Sequence, residues 1–365
     1  MSLSLGLVGL PNAGKSTLFN ALTQAGATVA SYPFTTIDPN LGMVTVPDER
    51  LARIVQIVQP KRVVPTAVEF IDIAGLVKGA SHGEGLGNQF LGHIRNVDAV
   101  VMVVRCFAHS DVPHVYGDVD PVRDIEVLDL ELCLADLAVV ERRLEKVKPK
   151  ARAGEKAARA ELGALERVRA GLNEGTPVRR QKLSSDDVTQ LGTISLVSDK
   201  PVLYVANVGE DTLLGDPAAV AVENHARECG STAVRVCAQL EMELAELEPA
   251  EAAEYRADLL GEGEGGLERV IAASYRLLDL VTFFTTTGGR ECRAWTIRRG
   301  TRTPQAAGKV HTDMERGFIR AEVVAFRDLD AAGSMAAVRE RGLLRLEGRD
   351  YVVQDGDVIH FRFAT

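Results

Sequence analysis

Apolar residues along this chain fall into short runs with the length and composition of buried strands: Leu3, Leu5, Leu7 and Val8, then Ala67 to Ile71, Ala99 to Phe107 and Pro201 to Ala206. Ser16 to Thr23 and Leu267 to Leu280 read as helices, so the chain has the alternation of an α/β fold. The strand at Ala99 to Phe107 is expected beside the one at Ala67 to Ile71. More than ninety residues then separate Phe107 from Pro201, where a helical crossover needs roughly a dozen or more. Something is inserted. Leu130, Cys133, Leu137, Val140, Leu144 and Val147 recur at spacings of 3, 4, 3, 4 and 3, the seam of a coiled coil. Pro149 to Gly154 breaks this pattern, and Leu162, Leu165 and Leu172 resume a weaker stripe, which predicts an antiparallel helical hairpin. After Gly261 to Gly266 the character changes. Val281 to Thr285, Cys292 to Ile297, Tyr351 to Val353 and Val358 to Phe363 are strand-like, with turns at Gly288-Gly289 and Gly356, and predict a separate small mixed domain. The expected division is an α/β domain over 1–280, with the hairpin inserted at about 122–198, followed by a second domain over 281–365.

Composition and charge narrow the class. At 365 residues the chain has room for two or three domains. Its longest apolar run, Ala99 to Val104, stops at Arg105, short of the roughly 20 residues of a membrane span. No basic-then-apolar leader precedes Leu3 to Leu10, so no membrane partner is expected. The five cysteines show no C-x-x-C pairing and an odd count, which argues against a disulfide framework or zinc site and for a reducing cytoplasm. The net charge of −9 is unevenly distributed: Arg142 to Lys182 holds 13 Lys/Arg against five Glu, and Glu241 to Glu268 holds ten Asp/Glu against one Arg. Lys148, Lys150, Arg152 and Lys156 gather near the predicted hairpin turn, and Arg298 and Arg299 belong to an arginine cluster around Trp295. These six are candidate contacts to RNA, since phosphate backbones complement such patches. The same residues also fit a solvated helix pair without a partner, and Trp295 a small half-buried core.

The strongest chemical signal is the segment Gly9-Leu10-Pro11-Asn12-Ala13-Gly14-Lys15-Ser16, which fits G-x-x-x-x-G-K-[ST] between a strand and a helix. Backbone N–H groups of such a loop and the helix N-terminus face phosphate oxygens. Asn12, Ala13, Gly14, Lys15, Ser16 and Thr17 are therefore expected to bind a nucleoside triphosphate, with Lys15 on its β- and γ-phosphates and the Ser16 hydroxyl on Mg²⁺. Asp72-Ile73-Ala74-Gly75 follows an apolar strand, where Asp72 can hold Mg²⁺ through water and the Gly75 N–H can meet the γ-phosphate. The proline-punctuated stretch Tyr32 to Asn40 is placed to supply a threonine to the metal. Where guanine-specific relatives of this class carry N-K-x-D, this chain has Asn207-Val208-Gly209-Glu210. Glu210 is a methylene too long to accept the two N–H bonds of guanine and Val208 replaces the lysine stem. Adenine offers an amino donor that Asn207 and backbone carbonyls can meet, so ATP is the expected substrate.

Taken together, the phosphate loop, Tyr32-Pro33-Phe34-Thr35-Thr36-Ile37-Asp38-Pro39-Asn40, the segment from Asp72 to Ala80, Glu84-Gly85-Leu86-Gly87-Asn88, the N-x-x-E replacement and Val353 to Ile359 resemble YchF, the Obg-like ribosome-binding ATPase family, over essentially the whole chain. The resemblance implies a P-loop nucleotide domain of the translation-factor class, the inserted coiled-coil hairpin and a C-terminal ubiquitin-like (β-grasp) TGS domain. It also implies ATP contacts from Asn12 to Thr17 and at Val208, Mg²⁺ held by Ser16 and Thr36, and a monomer that associates with the ribosome, chiefly its large subunit. His82 stands where bacterial relatives are expected to carry lysine. Leu76 occupies the position at which many related enzymes place a water-orienting glutamine. That leaves His82, Glu84 and His114 as polar candidates for the catalytic group beside Lys15, and the resemblance favours His114. The resulting expectation is a Mg²⁺-dependent ATPase acting as a switch in translation or stress response. The alternatives are a GTP-dependent ribosome-assembly switch and a nucleotide-gated RNA-binding module.

Overall fold

The computed structural model describes residues 3–27, 40–73, 86–109, 111–192, 194–213, 215–260, 265–287 and 289–364. In chain order the first elements are β1 (Ser4–Val8), α1 (Lys15–Ala27), β2 (Leu41–Thr45), α2 (Glu49–Val58), β3 (Arg62–Val64), β4 (Ala67–Asp72), α3 (Leu86–Asn96) and β5 (Ala99–Arg105). The hairpin and the rest of the sheet follow: α4 (Pro121–Arg152), α5 (Lys156–Asn173), α6 (Ser185–Leu191), β6 (Val202–Asn207), α7 (Pro217–Glu228) and β7 (Thr232–Val236). Then come α8 (Ala238–Glu246), α9 (Pro249–Leu260), α10 (Gly266–Leu277), β8 (Leu280–Thr286), β9 (Glu291–Arg298), α11 (Thr303–Val310) and α12 (Thr312–Arg316). The chain closes with β10 (Phe318–Ala325), α13 (Phe326–Ala332), α14 (Met335–Glu340), β11 (Arg345–Glu347) and β12 (Asp357–Phe363). Two compact units result, one of residues 1–24, 37–42 and 69–273, the other of 25–36, 43–68 and 274–365.

Every position of β1, β5 and β6 is buried, which is why these strands read as continuous apolar runs rather than alternating ones. They are the middle of a six-stranded sheet ordered β2-β4-β1-β5-β6-β7. β1 pairs in parallel with β4 on one side and β5 on the other, placing Leu5 between Phe70 and Ala99. The expectation that the strands at Ala67 to Ile71 and Ala99 to Phe107 are neighbours is therefore corrected: β1 lies between them. Sequence order misleads here because the connection through α3 is long enough to cross one intervening strand.

The insertion between β5 and β6 is the helical pair α4 and α5. Cys133, Val140, Leu144 and Val147 of α4 pack with Leu165, Val168 and Leu172 of α5 in one buried cluster. Leu130 does not join the seam and is 48% exposed. Near its N-terminus α4 buries Ile125, Leu128 and Leu132 against the sheet's core instead, so the seam begins one turn later. α4 also continues through Pro149, three residues before its end. Pro149 is exposed there and only its own N–H is missing. The turn is made by residues 153–155, with Gly154 at φ 96°.

The second unit is built on a sheet ordered β11-β10-β12-β8-β9-β3. Phe283, Phe318, Phe361 and Ile359 form its core on one side. A second cluster takes Leu51 and Ile54 from α2, together with Phe284, Val324 and Leu329. Residues 43–68, expected with the α/β domain, thus belong to this unit, with β3 adding a parallel strand to β9. Tyr351 to Val353 is not a strand; Val352 makes a single bridge to Arg302. β10 was not expected, because Arg320 and Glu322 interrupt its apolar residues. The helix predicted to end at Leu280 ends at Leu277, and Leu280 opens β8.

Candidate nucleotide site

The loop between β1 and α1 encloses a cleft of about 470 Å³ lined by residues 10–17. Two glycines make its path feasible. Gly9 brings its Cα so close to β5 that a Cβ would lie 2.7 Å from the Val103 carbonyl oxygen. Gly14 has φ +84°, and a Cβ there would also overlap the Asn207 amide. Asn12 adopts φ 64°, a left-handed conformation that asparagine tolerates better than most residues. α1 begins at Lys15, so its first N–H groups open onto the cleft.

Lys15 is buried and its ammonium pairs directly with Asp72 Oδ1 at the end of β4. Ser16 Oγ donates to Asp72 Oδ2 at 3.2 Å. A hydroxyl and a carboxylate thus converge beside the cleft, hard oxygen donors of the kind Mg²⁺ prefers. Sequence had placed these three residues at one site, and the fold brings them together. Thr36, Gly75, His82 and Glu84 lie outside the described residues.

At the end of β6 the geometry differs from a simple base reader. Asn207 is 4% exposed, its Nδ2 donating to the Ala13 carbonyl at 2.9 Å and its Oδ1 accepting from the Ala238 N–H at 3.0 Å. Both ends of the amide are engaged inside the protein, and Oδ1 keeps a second lone pair beyond its bond from the Ala238 N–H. The side chain ties the phosphate loop to β6 and to the start of α8. Val208 is 2% exposed within the core cluster, and its N–H donates to the Val236 carbonyl at 2.9 Å. Glu210 is exposed, in the short turn after β6.

His114 is buried and hydrogen-bonded through both ring nitrogens. Its side chain is 3% exposed, its Nδ1 accepts from the Tyr116 N–H at 3.1 Å, and Nε2 lies 2.8 Å from Asp124 Oδ2. Because Nδ1 is an acceptor, the ring proton sits on Nε2 and is donated to Asp124. Both ring nitrogens are thus engaged within the protein in this conformation. Asp124 belongs to the first turn of α4, which ties the histidine to the hairpin. Arg105, which the sequence marked only as the end of an apolar run, is 3% exposed beside the phosphate loop. Its position after six apolar residues was the available signal.

The basic residues are split between the two units. Lys150, Arg152 and Lys156 are exposed around the hairpin turn and Lys148 is half-buried. In the second unit, Arg299 pairs with Asp279 at 2.9 Å and Arg302 with Asp350 at 3.0 Å. Trp295 donates from Nε1 to Thr285 Oγ1 at 2.9 Å and stacks on Phe283, with the Arg293 guanidinium 4.0 Å from its ring centroid. It is the half-buried core aromatic that sequence allowed, with an arginine stacked on it.

Residues 4–142 match a family described as "50S ribosome-binding GTPase", and residues 280–364 match YchF-GTPase_C, described as "Protein of unknown function (DUF933)". A Bacillus subtilis protein named "Ribosome-binding ATPase YchF" is 50% identical across 100% of both chains. This chain belongs to the YchF family. An Escherichia coli O157:H7 YchF of the same name is 49% identical over 100% of this chain and 99% of its own. The solved structure of the Schizosaccharomyces pombe YchF GTPase superposes with a TM-score of 0.89 at 37% identity, covering 99% of this chain and 98% of that one. The family accounts for the fold and for nucleotide hydrolysis in general terms.

Proposed function

We propose that this protein is a Mg²⁺-dependent ATPase that binds ribosomes and works as a nucleotide switch. The observation that carries the reading is the convergence of Lys15, Ser16 and Asp72 on a phosphate loop whose conformation only glycine at position 14 permits. Family membership supports it, since the bacterial relatives are named ribosome-binding ATPases. In this reading Lys15 leaves Asp72 for the β- and γ-phosphates, and Asp72 turns to the metal's water shell. Ser16 and Thr36 would hold Mg²⁺, which would supply charge neutralisation for the transferring phosphoryl group. Gly75 contributes an N–H to the γ-phosphate. The base is met by the Val208 backbone and by Glu210, while Asn207 fixes the loop.

The second unit, with 281–365 at its heart, is proposed as a ubiquitin-like TGS domain, supported by its mixed sheet with α11 packed on one face. Ribosomal RNA, above all of the large subunit, is proposed to meet the basic hairpin turn and the region of Arg298 and Arg299. GTP is the competing substrate, since the matched family and the fission yeast structure both carry "GTPase" in their names. Val208 and Glu210 argue against it, because neither reproduces the lysine stem or the aspartate of a guanine site. Parallel calorimetric titrations with ATP and GTP, repeated with ribosomes, test both. ATP is expected to bind more tightly, and tenfold tighter GTP binding would overturn the assignment.

A further inference from the structure

Arg105 ends a strand whose six preceding residues are all buried, and its guanidinium has no carboxylate within hydrogen-bonding distance among the described residues. Four carbonyl oxygens surround it instead. Nη2 donates to Val112 at 2.7 Å and Nε to Phe107 at 3.1 Å, while Nη1 lies 3.4 Å from Pro113 O and 3.5 Å from Asn12 O. The Phe107 ring sits below the fork, with its centroid 4.5 Å from Cζ. Burial lowers the arginine's pKa, and the negative charge of Asp124 opposes the shift. A buried cation kept at this cost has a task that a neutral side chain could not perform, since only a planar fork with five donors can serve several carbonyls at once.

Those carbonyls belong to two segments. Asn12 is in the phosphate loop, and its Nδ2 also donates to Pro113 O at 3.0 Å. Val112 and Pro113 immediately precede His114, which is held by Asp124 and the Tyr116 N–H. Arg105 therefore grips both the loop that holds phosphates and the backbone that carries the histidine.

We propose that Arg105 is a positioning residue that couples the phosphate loop to His114, so that nucleotide in the loop is felt at the histidine and the histidine reaches its working position only through this clamp. The proposal rests on the reading of the chain as an ATPase and on His114 as the catalytic candidate that the family resemblance favours. Movement of Asn12 toward a bound triphosphate loosens one face of the clamp and lets the Val112–His114 backbone shift with it.

The test combines imidazole NMR with a double-mutant cycle. Adding Mg²⁺ and AMP-PNP to the unaltered protein should move the His114 ring ¹⁵N and ¹H signals. In Arg105→Met that response should be lost, and in the conservative Arg105→Lys reduced, because an ammonium cannot serve the same four acceptors. In steady-state assays Arg105→Met should lower kcat by roughly tenfold or more with KM for ATP changed by no more than about threefold. In a His114→Ala background the same substitution should lower kcat by less than about twofold, the non-additivity of residues acting as one unit. Equal losses in both backgrounds would overturn the proposal, as would a His114 signal that does not respond to AMP-PNP or that responds normally without Arg105. If His114→Ala turns over ATP as fast as the parent, the catalytic reading of His114 fails, while the ring signals still decide whether Arg105 couples the two segments. Should Arg105→Met fail to fold, Arg105→Lys carries both measurements.

Discussion

Lys15 serves one anion in this structure and is proposed to serve another during turnover. Paired with Asp72 it is neutralised inside the protein, so a phosphate must replace a carboxylate partner rather than meet a bare ammonium. Lys15→Ala and Ser16→Ala are each expected to abolish hydrolysis, the first by removing the phosphate's charge partner and the second a metal ligand; single-turnover assays with and without excess Mg²⁺ read the two separately. Gly14→Ala should be as severe for a different reason. A methyl group there meets the Asn207 amide and imposes a left-handed backbone on alanine, so calorimetry should detect no ATP binding and the melting temperature should fall below the parent's. Base preference is also decided residue by residue: Val208→Lys combined with Glu210→Asp should shift relative affinity toward GTP. An unchanged ATP:GTP ratio in the paired titration would locate base reading elsewhere.

The helical hairpin shows how an element is stabilised from its ends and its seam. α6 starts with a capping box in which Ser184 and Asp187 satisfy each other's backbone N–H groups, and Arg167 of α5 reaches across to the same carboxylate. Arg167, with help from Ser184, holds the Asp187 pKa down to about 2 from an ordinary value of 3.8. A carboxylate depressed in the folded state contributes stability that is complete above its unfolded pKa and is lost as pH falls through the folded one. The contribution should therefore fade between about pH 4 and pH 2. Melting temperatures measured across that window should fall more steeply for the parent than for Asp187→Asn, and parallel curves would count against the ion pair. Within the seam, Leu165 is fully buried, so Leu165→Ala should cost about 2–5 kcal/mol in urea unfolding if the hairpin melts together with its domain.

Taken as a whole, this acidic protein gathers its excess positive charge between Arg142 and Lys182, over the last part of α4, α5 and the residues that follow, a distribution suited to a polyanion. Reversing Lys148, Lys150, Arg152 and Lys156 to glutamate should reduce co-sedimentation with ribosomes, and the parent's own binding should weaken steeply with added salt as phosphate contacts release counterions. A variant that pellets as the parent does at every salt concentration would return the hairpin to the status of a solvated face and shift attention to Arg298 and Arg299. No helix among the described residues is long and apolar enough to cross a membrane.

Local sequence determined the phosphate loop, because its glycines, lysine and serine act through backbone geometry set within a few residues. It determined the buried strands and most of the buried seam between α4 and α5 for the same reason: periodicity is a property of neighbours along the chain. Strand order was decided only in three dimensions, where a crossover through α3 leaves room for β1 between β4 and β5. The membership of residues 43–68 was also tertiary, since α2 and β3 find their apolar partners more than two hundred residues later in sequence. The same holds for the chemistry of His114 and Asn207. Their residue types suggested open polar groups, but Asp124, the Tyr116 N–H, the Ala13 carbonyl and the Ala238 N–H meet them only after folding.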